Sequence, residues 1–182
     1  PPPSPSVPLS LLAAVTRLDA QLSSVAPIEV AGAYLPETNV IDGNDQTLCA
    51  STNEPQAWVS IQVAAGTPIG AVAVVNRADA PYDEFLGAFE VWIGTGGFRD
   101  TGAPTARLCG ANSAPTVGAG PYVVVCGGAP IGEFVTVRQL GASRYLTIAE
   151  VLVYQGQFSP AQPPPSSSPA PPPSLPPSPP PS

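Results

Sequence analysis

The 182-residue chain sets 13 acidic residues against six basic ones, for a net charge of −7, and it contains no histidine. All six basic residues are arginine, so the cationic surface that a phosphate backbone demands is missing and the composition argues against a nucleic-acid partner. Lack of histidine also removes Ser-His-Asp and Cys-His nucleophilic sites and His-ligated zinc, so any catalysis would rest on carboxylates, and the chain reads as a non-enzyme.

The chain opens on PPPSPS, and residues 1–8 read as a Pro/Ser-rich segment. Leu11, Leu12, Val15, Leu18, Leu22 and Val25 then recur at helical spacing, which predicts an amphipathic helix over 9–25. Pro27 would end it, because the residue before a proline is pushed out of the helical region. From there the pattern changes to short β runs at 28–34, 57–63, 71–76, 88–94, 122–126, 133–140 and 144–154. Turn clusters such as DGND, AAGTPIG, RADAPYDE and CGGAP separate them. Short strands at this spacing predict one all-β domain over 26–158, an antiparallel β-sandwich. No helices alternate with the strands, so a parallel α/β fold is not expected.

No apolar run approaches the roughly 20 residues that span a bilayer, and no signal-like segment precedes the domain. The chain therefore reads as a mature or excised piece of a longer secreted protein, without direct membrane insertion. Cys109 and Cys126 flank a Gly-, Ala- and Pro-rich stretch that leads back into a strand, a natural place for a disulfide in an oxidising compartment. Cys49 is left over, either buried and inert or available to another chain.

In the acidic loop that holds Asp79, Asp83 and Glu84, a glycosidase pair is conceivable, but such clusters are usually solvated turns, and that reading is preferred. The stretch N-V-I-D-G-N-D-Q-T-L-C-A-S (39–51) offers hard oxygen ligands around Gly43, which suits calcium, although a bare D-G-N-D is also an ordinary β-turn. Trp58 and Trp92 lie in alternating apolar runs and read as sheet packing. Tyr82, in the loop beside Asp79, is the better exposed contact.

The order IDGN, AWVSIQV, VVNRAD, LGAFEVWIG, EFVTVRQL and RYLTIAEVLVY over residues 28–154 resembles the F-type lectins (fucolectins) and the discoidin-like galactose-binding superfamily. The resemblance implies a jelly-roll sandwich and a structural calcium ion. Its ligands would be the Asn39 and Asn44 carbonyls, the Asp42 carboxylate, a Ser51 oxygen, the Ala149 carbonyl and Glu150. Read on its own, Glu150 either faces solvent on an alternate pleat or needs a cation to relieve it. The family's fucose grip is a histidine, an arginine with R-x-D-G, and a second basic residue. Arg77 and Asp79 match, Thr52 stands at the histidine position, Ala80 replaces the glycine and Phe85 replaces the second basic residue. The weak candidate sugar set is thus Thr52, Arg77, Asp79 and Tyr82; Arg77 and Asp79 have the alternative role of an ion pair bracing the loop. The family cysteine that would pair with Cys49 falls on Ala149.

Residues 159–182 form a Pro/Ser tail. Each proline fixes φ and removes a donor, which leaves polyproline II, and 23 residues of it make a spacer on the order of 70 Å long. The tail resembles the Ser-Pro segments of plant and green-algal cell-wall and ciliary surface glycoproteins. That resemblance implies hydroxylation and O-glycosylation over Pro163, Pro164, Pro165, Ser166, Pro171, Pro172, Pro173, Ser174, Pro176, Pro177, Ser178, Pro179, Pro180 and Pro181. The expected function is a structural module of an extracellular hydroxyproline-rich glycoprotein that contacts neighbouring chains or glycosylated polyproline. The alternative is a calcium-dependent lectin for recognition or adhesion.

Overall fold

The computed structural model describes residues 12–27, 35–99, 101, 104–114 and 116–156. The run expected at 28–34, the Pro/Ser segments and their modification sites lie outside the described residues.

Among the described residues, nine strands build an antiparallel sandwich: β1 (Arg17–Leu22), β2 (Cys49–Ala50), β3 (Trp58–Val75), β4 (Phe89–Gly94), β5 (Ala106–Asn112), β6 (Tyr122–Val125), β7 (Ile131–Gln139), β8 (Thr147–Ile148) and β9 (Glu150–Gln155). The long strand β3 belongs to both layers. Its first half pairs with β1 and β7, whose neighbours beyond are β4 and β5; its second half pairs with β6 and β9. The sequence predicts two strands here with a turn at 64–70. Instead the chain stays extended through a register shift between Gln62 and Thr67, with Gly66 at φ +79°, and so carries one strand from one sheet to the other.

Alternation sorts the side chains. Val59, Ile61 and Val63 on β3, Val135 and Val137 on β7 and Phe89, Val91 and Ile93 on β4 point into the core. Val72 and Val74 on β3, Val151 and Val153 on β9 and Val124 on β6 belong to the same core. Burying each such side chain contributes roughly 1.5–3 kcal/mol, and this packing is the main force holding the layers together. Polar residues that the pleat turns to the other face are paired: Ser60 Oγ and Thr136 Oγ1 are 2.8 Å apart, and Trp92 Nε1 donates to Glu90 Oε1 at 2.5 Å. A disulfide joins Cys109 on β5 to Cys126 just past β6, as the sequence predicts.

The helix expected over 9–25 is corrected by β1. Its helical stripe does not lie on one buried face, since Leu18 is 57% exposed and Val25 is exposed as well while Leu22 is buried. The buried residues are Ala20 and Leu22, two apart, and they lie where β3 needs an antiparallel partner, with Ala20 opposite Ile61. Tertiary pairing outweighs a short stretch of helical spacing. The sandwich therefore begins at β1 rather than at residue 26. Strand β5 falls in a stretch without an alternating apolar pattern, and the run 144–154 divides into β8 and β9 at Ala149.

Candidate functional site

Two clusters contain the residues singled out in the sequence. The first is the loop between β3 and β4. Arg77 directs Nε at 2.6 Å and Nη2 at 2.5 Å onto the two carboxylate oxygens of Asp79, the planar fork that only arginine presents. The Asp79 carbonyl accepts from the amides of Tyr82 and Asp83 and so starts the short 3-10 turn Tyr82–Glu84. Tyr82 lays its ring over the Arg77 guanidinium, 4.7 Å from carbon to centroid. Phe85 meets Tyr82 edge-on at 5.6 Å and stacks on Tyr145 at 5.7 Å. Arg77 is buried by these contacts, while the Asp79 side chain is 56% exposed and Tyr82 46% exposed. Hydrogen bonds from Arg77 hold the Asp79 carboxyl below the usual carboxylate range, so it stays an anionic acceptor in water.

The bracing role of Arg77 and Asp79 is thus observed. The solvated-loop reading is corrected at Asp83, which is buried: its Oδ2 accepts the Gly118 amide at 2.7 Å and its carbonyl accepts from Asn76 Nδ2 at 2.6 Å. Glu84 is exposed. Gln139, fully buried at the end of β7, fixes the floor of the same loop by donating Nε2 to the carbonyls of Phe85, Leu86 and Tyr145 at 2.7, 3.0 and 3.2 Å. Asn76, Gln139 and Tyr145 lie within the runs VVNRAD, EFVTVRQL and RYLTIAEVLVY, but nothing in the sequence marks them as parts of this site.

Thr52 lies in a polar knot with Ser23, Ser24 and Glu54. Its hydroxyl pairs with Ser24 Oγ at 2.8 Å, and Ser23 and Ser24 both donate to Glu54 Oε1. Next to this knot, Ser23, Glu54, Gln56, Trp58, Arg99 and Arg138 are among the residues that line a cleft of about 200 Å³. Trp58 is half-buried there, whereas Trp92 packs beneath the Arg138 guanidinium, 5.6 Å from carbon to centroid.

The second cluster brings the two halves of the expected calcium set together. The amide of Gly43 donates to Glu150 Oε2 at 3.3 Å, and Glu150 is buried at the start of β9. Its other oxygen, Oε1, is held by the guanidinium of Arg17, which also donates to the Val151 carbonyl at 2.8 Å. Burial lowers the Arg17 pKa, and the charge of the Asp42 carboxylate acts against that shift. Asp42, Asn44 and Ser51 are engaged too. Asp42 Oδ1 accepts the Asn44 amide and Oδ2 the Thr47 hydroxyl, both at 2.8 Å. The Asn44 carbonyl takes the Thr47 hydroxyl at 2.7 Å. Ser51 Oγ donates to the Thr52 carbonyl and accepts the Leu146 amide at 2.9 Å. The Asn39 side-chain amide donates to the Leu48 carbonyl at 2.7 Å and the Ala149 N–H to the Val75 carbonyl at 2.9 Å, bonds that use donors and not the two carbonyls of the expected set. With a fixed positive charge already on Glu150, these residues as arranged do not fit a divalent cation.

No family model and no curated protein matches the chain. Solved structures do match in fold. The fucolectin from Morone saxatilis (striped bass) serum aligns at 24% identity and TM-score 0.60, over 80% of this chain and 50% of that one. A histidine mutant of the lectin-binding domain of lectinolysin complexed with Lewis b aligns at 20% identity and TM-score 0.59, over 76% and 92%. The family 32 carbohydrate-binding module of Clostridium perfringens NanJ, in complex with galactose, aligns at 16% identity and TM-score 0.58, over 78% and 98%. The chain has the galactose-binding-like β-sandwich fold that these lectin and carbohydrate-binding domains share.

Proposed function

We propose that this chain is a non-catalytic, extracellular carbohydrate-binding module whose contact surface is the loop carrying Asp79 and Tyr82. The observation that carries this reading is the Arg77–Asp79–Tyr82 cluster: a buried arginine holds an exposed carboxylate and an exposed aromatic ring side by side. A sugar has an apolar C–H face and a rim of hydroxyls. The Tyr82 ring offers a surface for the first, and the ionised Asp79 accepts hydrogen bonds from the second. Arg77 acts as a positioning residue, since two of its donors are committed to Asp79 and its face is covered by Tyr82. Fucose held by a trio of basic side chains is not the mode proposed, because Thr52 and Phe85 stand at two of those positions. The disulfide suits an oxidising compartment outside the cell. The test is retention on immobilised galactose, fucose and uronic acids: Tyr82→Ala should abolish it while leaving the melting temperature near wild type, and Asp79→Ala should abolish it while also lowering the melting temperature, because it leaves the buried Arg77 guanidinium without its anion.

The Pro/Ser segments favour a second role in the same molecule. A module strung between glycosylated polyproline rods would sit beside other such rods in a wall, matrix or ciliary coat, and their O-linked sugars would be its nearest ligands. Mass spectrometry of the native protein checks this through proline hydroxylation and pentose or hexose on the tail. An unmodified tail would remove the role.

A further inference from the structure

We infer that Arg17 is a built-in cation that does the work of a metal ion, compensating the buried Glu150 carboxylate on which strand β1, the Gly43 turn and strand β9 meet, so that the domain holds this corner without calcium.

The geometry of β1 puts the guanidinium there. The β1–β3 register shifts between Arg17 and Asp19, and a bulge re-aims the side chain that precedes it. Leu18 is turned outward and lies 57% exposed, while the Arg17 side chain is only 16% exposed. From that point Arg17 spans to the last strand, where it meets the Glu150 carboxylate and the Val151 carbonyl. Glu150 in turn takes the Gly43 amide, so strand β1, the turn and strand β9 meet at one carboxylate.

The charges and the donors agree. A carboxylate as buried as Glu150 requires a compensating charge together with hydrogen bonds, and Arg17 with Gly43 N–H provides both. Asp42, the carboxylate of the neighbouring turn, has its two oxygens satisfied by Asn44 and Thr47 within that turn. A divalent ion entering this corner would have to displace a guanidinium that is anchored at two acceptors, and it would be repelled by that guanidinium until it did. The arginine and the ion are therefore alternative occupants of one position.

The experiment uses the complete chain and reads thermal melting with and without calcium chloride, beside calorimetric titration of calcium chloride alone. The wild-type melting temperature should be the same in calcium and in chelator, and the titration should show no binding heat. Arg17→Ala should melt several degrees lower in chelator and recover much of that loss when calcium is added, because removing the guanidinium opens the carboxylates to the ion. If Arg17→Ala does not fold, Arg17→Met combined with Glu150→Gln removes both charges and should fold and melt independently of calcium. A wild-type melting temperature that rises with calcium, or a wild-type binding isotherm, would overturn the inference. So would an Arg17→Ala protein that folds and gains nothing from calcium, or a neutral double variant that calcium still stabilises.

Discussion

The amide of Gly43 donates to Oε2 of Glu150, which ties a turn in the first third of the chain to a side chain 107 positions later at the start of the last strand. The two ends of the sandwich are thus closed on each other through one buried carboxylate, and Arg17 from β1 completes the corner. Glu150→Gln keeps the shape and removes the charge, leaving a mostly buried guanidinium without its anion. The expected loss is about 3 kcal/mol in urea denaturation. Gly43→Ala should cost less, about 1 kcal/mol, because a Cβ there meets nothing within 4 Å and only the positive φ of +80° opposes it.

The Cys109–Cys126 bridge closes a loop of sequence separation 17 between β5 and β6, two strands at the far ends of their sheets. Cross-linking a loop of this size restricts the unfolded chain by about 3 kcal/mol. Replacing both cysteines with alanine should lower the unfolding free energy by that amount. A dithiol reductant should have a similar effect on the wild type.

Cys49 is the free thiol, fully buried on β2 against β8. Burial pushes its pKa up to about 12, beyond the small opposing effect of backbone hydrogen bonds. The native protein should resist iodoacetamide at mildly alkaline pH and react once unfolded in guanidinium. The linkage has a definite sign. Above the ordinary thiol range the unfolded chain loses this proton while the folded chain keeps it, so the thiol's contribution to stability declines as pH rises.

Gln139 supports the proposed sugar surface from below. Its Nε2 is shared among three carbonyls, two from the β3–β4 loop and one from Tyr145. Gln139→Leu leaves those carbonyls without their donor, which should cost about 3 kcal/mol. It should also weaken sugar retention, although residue 139 touches no ligand. A denaturation curve read beside a binding curve measures both effects.

The depressed pKa of Asp79 sets a pH dependence for binding. Arg77's hydrogen bonds keep this carboxyl ionised below the usual carboxylate range. Sugar retention should therefore hold as pH falls through that range and fade only beneath it. Asp79 is largely exposed, so the same shift should move folding stability very little.

Wherever apolar alternation is strong, the sequence already announces the fold. The runs around Val59, Val72, Val91, Val135 and Val151 are strands, and the disulfide sits at the expected cysteines. Strand β1 could not be read this way, because Arg17–Leu22 becomes a strand through pairing with β3 rather than through its own pattern. Strand β5 was hidden for a related reason: its burial is partial along its length, so no period-2 signal forms. At the candidate site, Arg77, Asp79 and Tyr82 are close in sequence and their contact was legible. Asn76 adjoins Arg77 but its bond to the Asp83 carbonyl leaves no mark in the sequence, and Gln139 and Tyr145 come from elsewhere in the chain and have no local signature. Arg17 carried no signal at all, since its role depends on Glu150, 133 positions away.

The most direct test of the central claim is a glycan array probed with the wild-type protein in chelator, beside Tyr82→Ala. The account predicts selective binding that needs no calcium and disappears in the Tyr82 variant. Silence across the array, or a binding pattern unchanged by Tyr82→Ala, would contradict it.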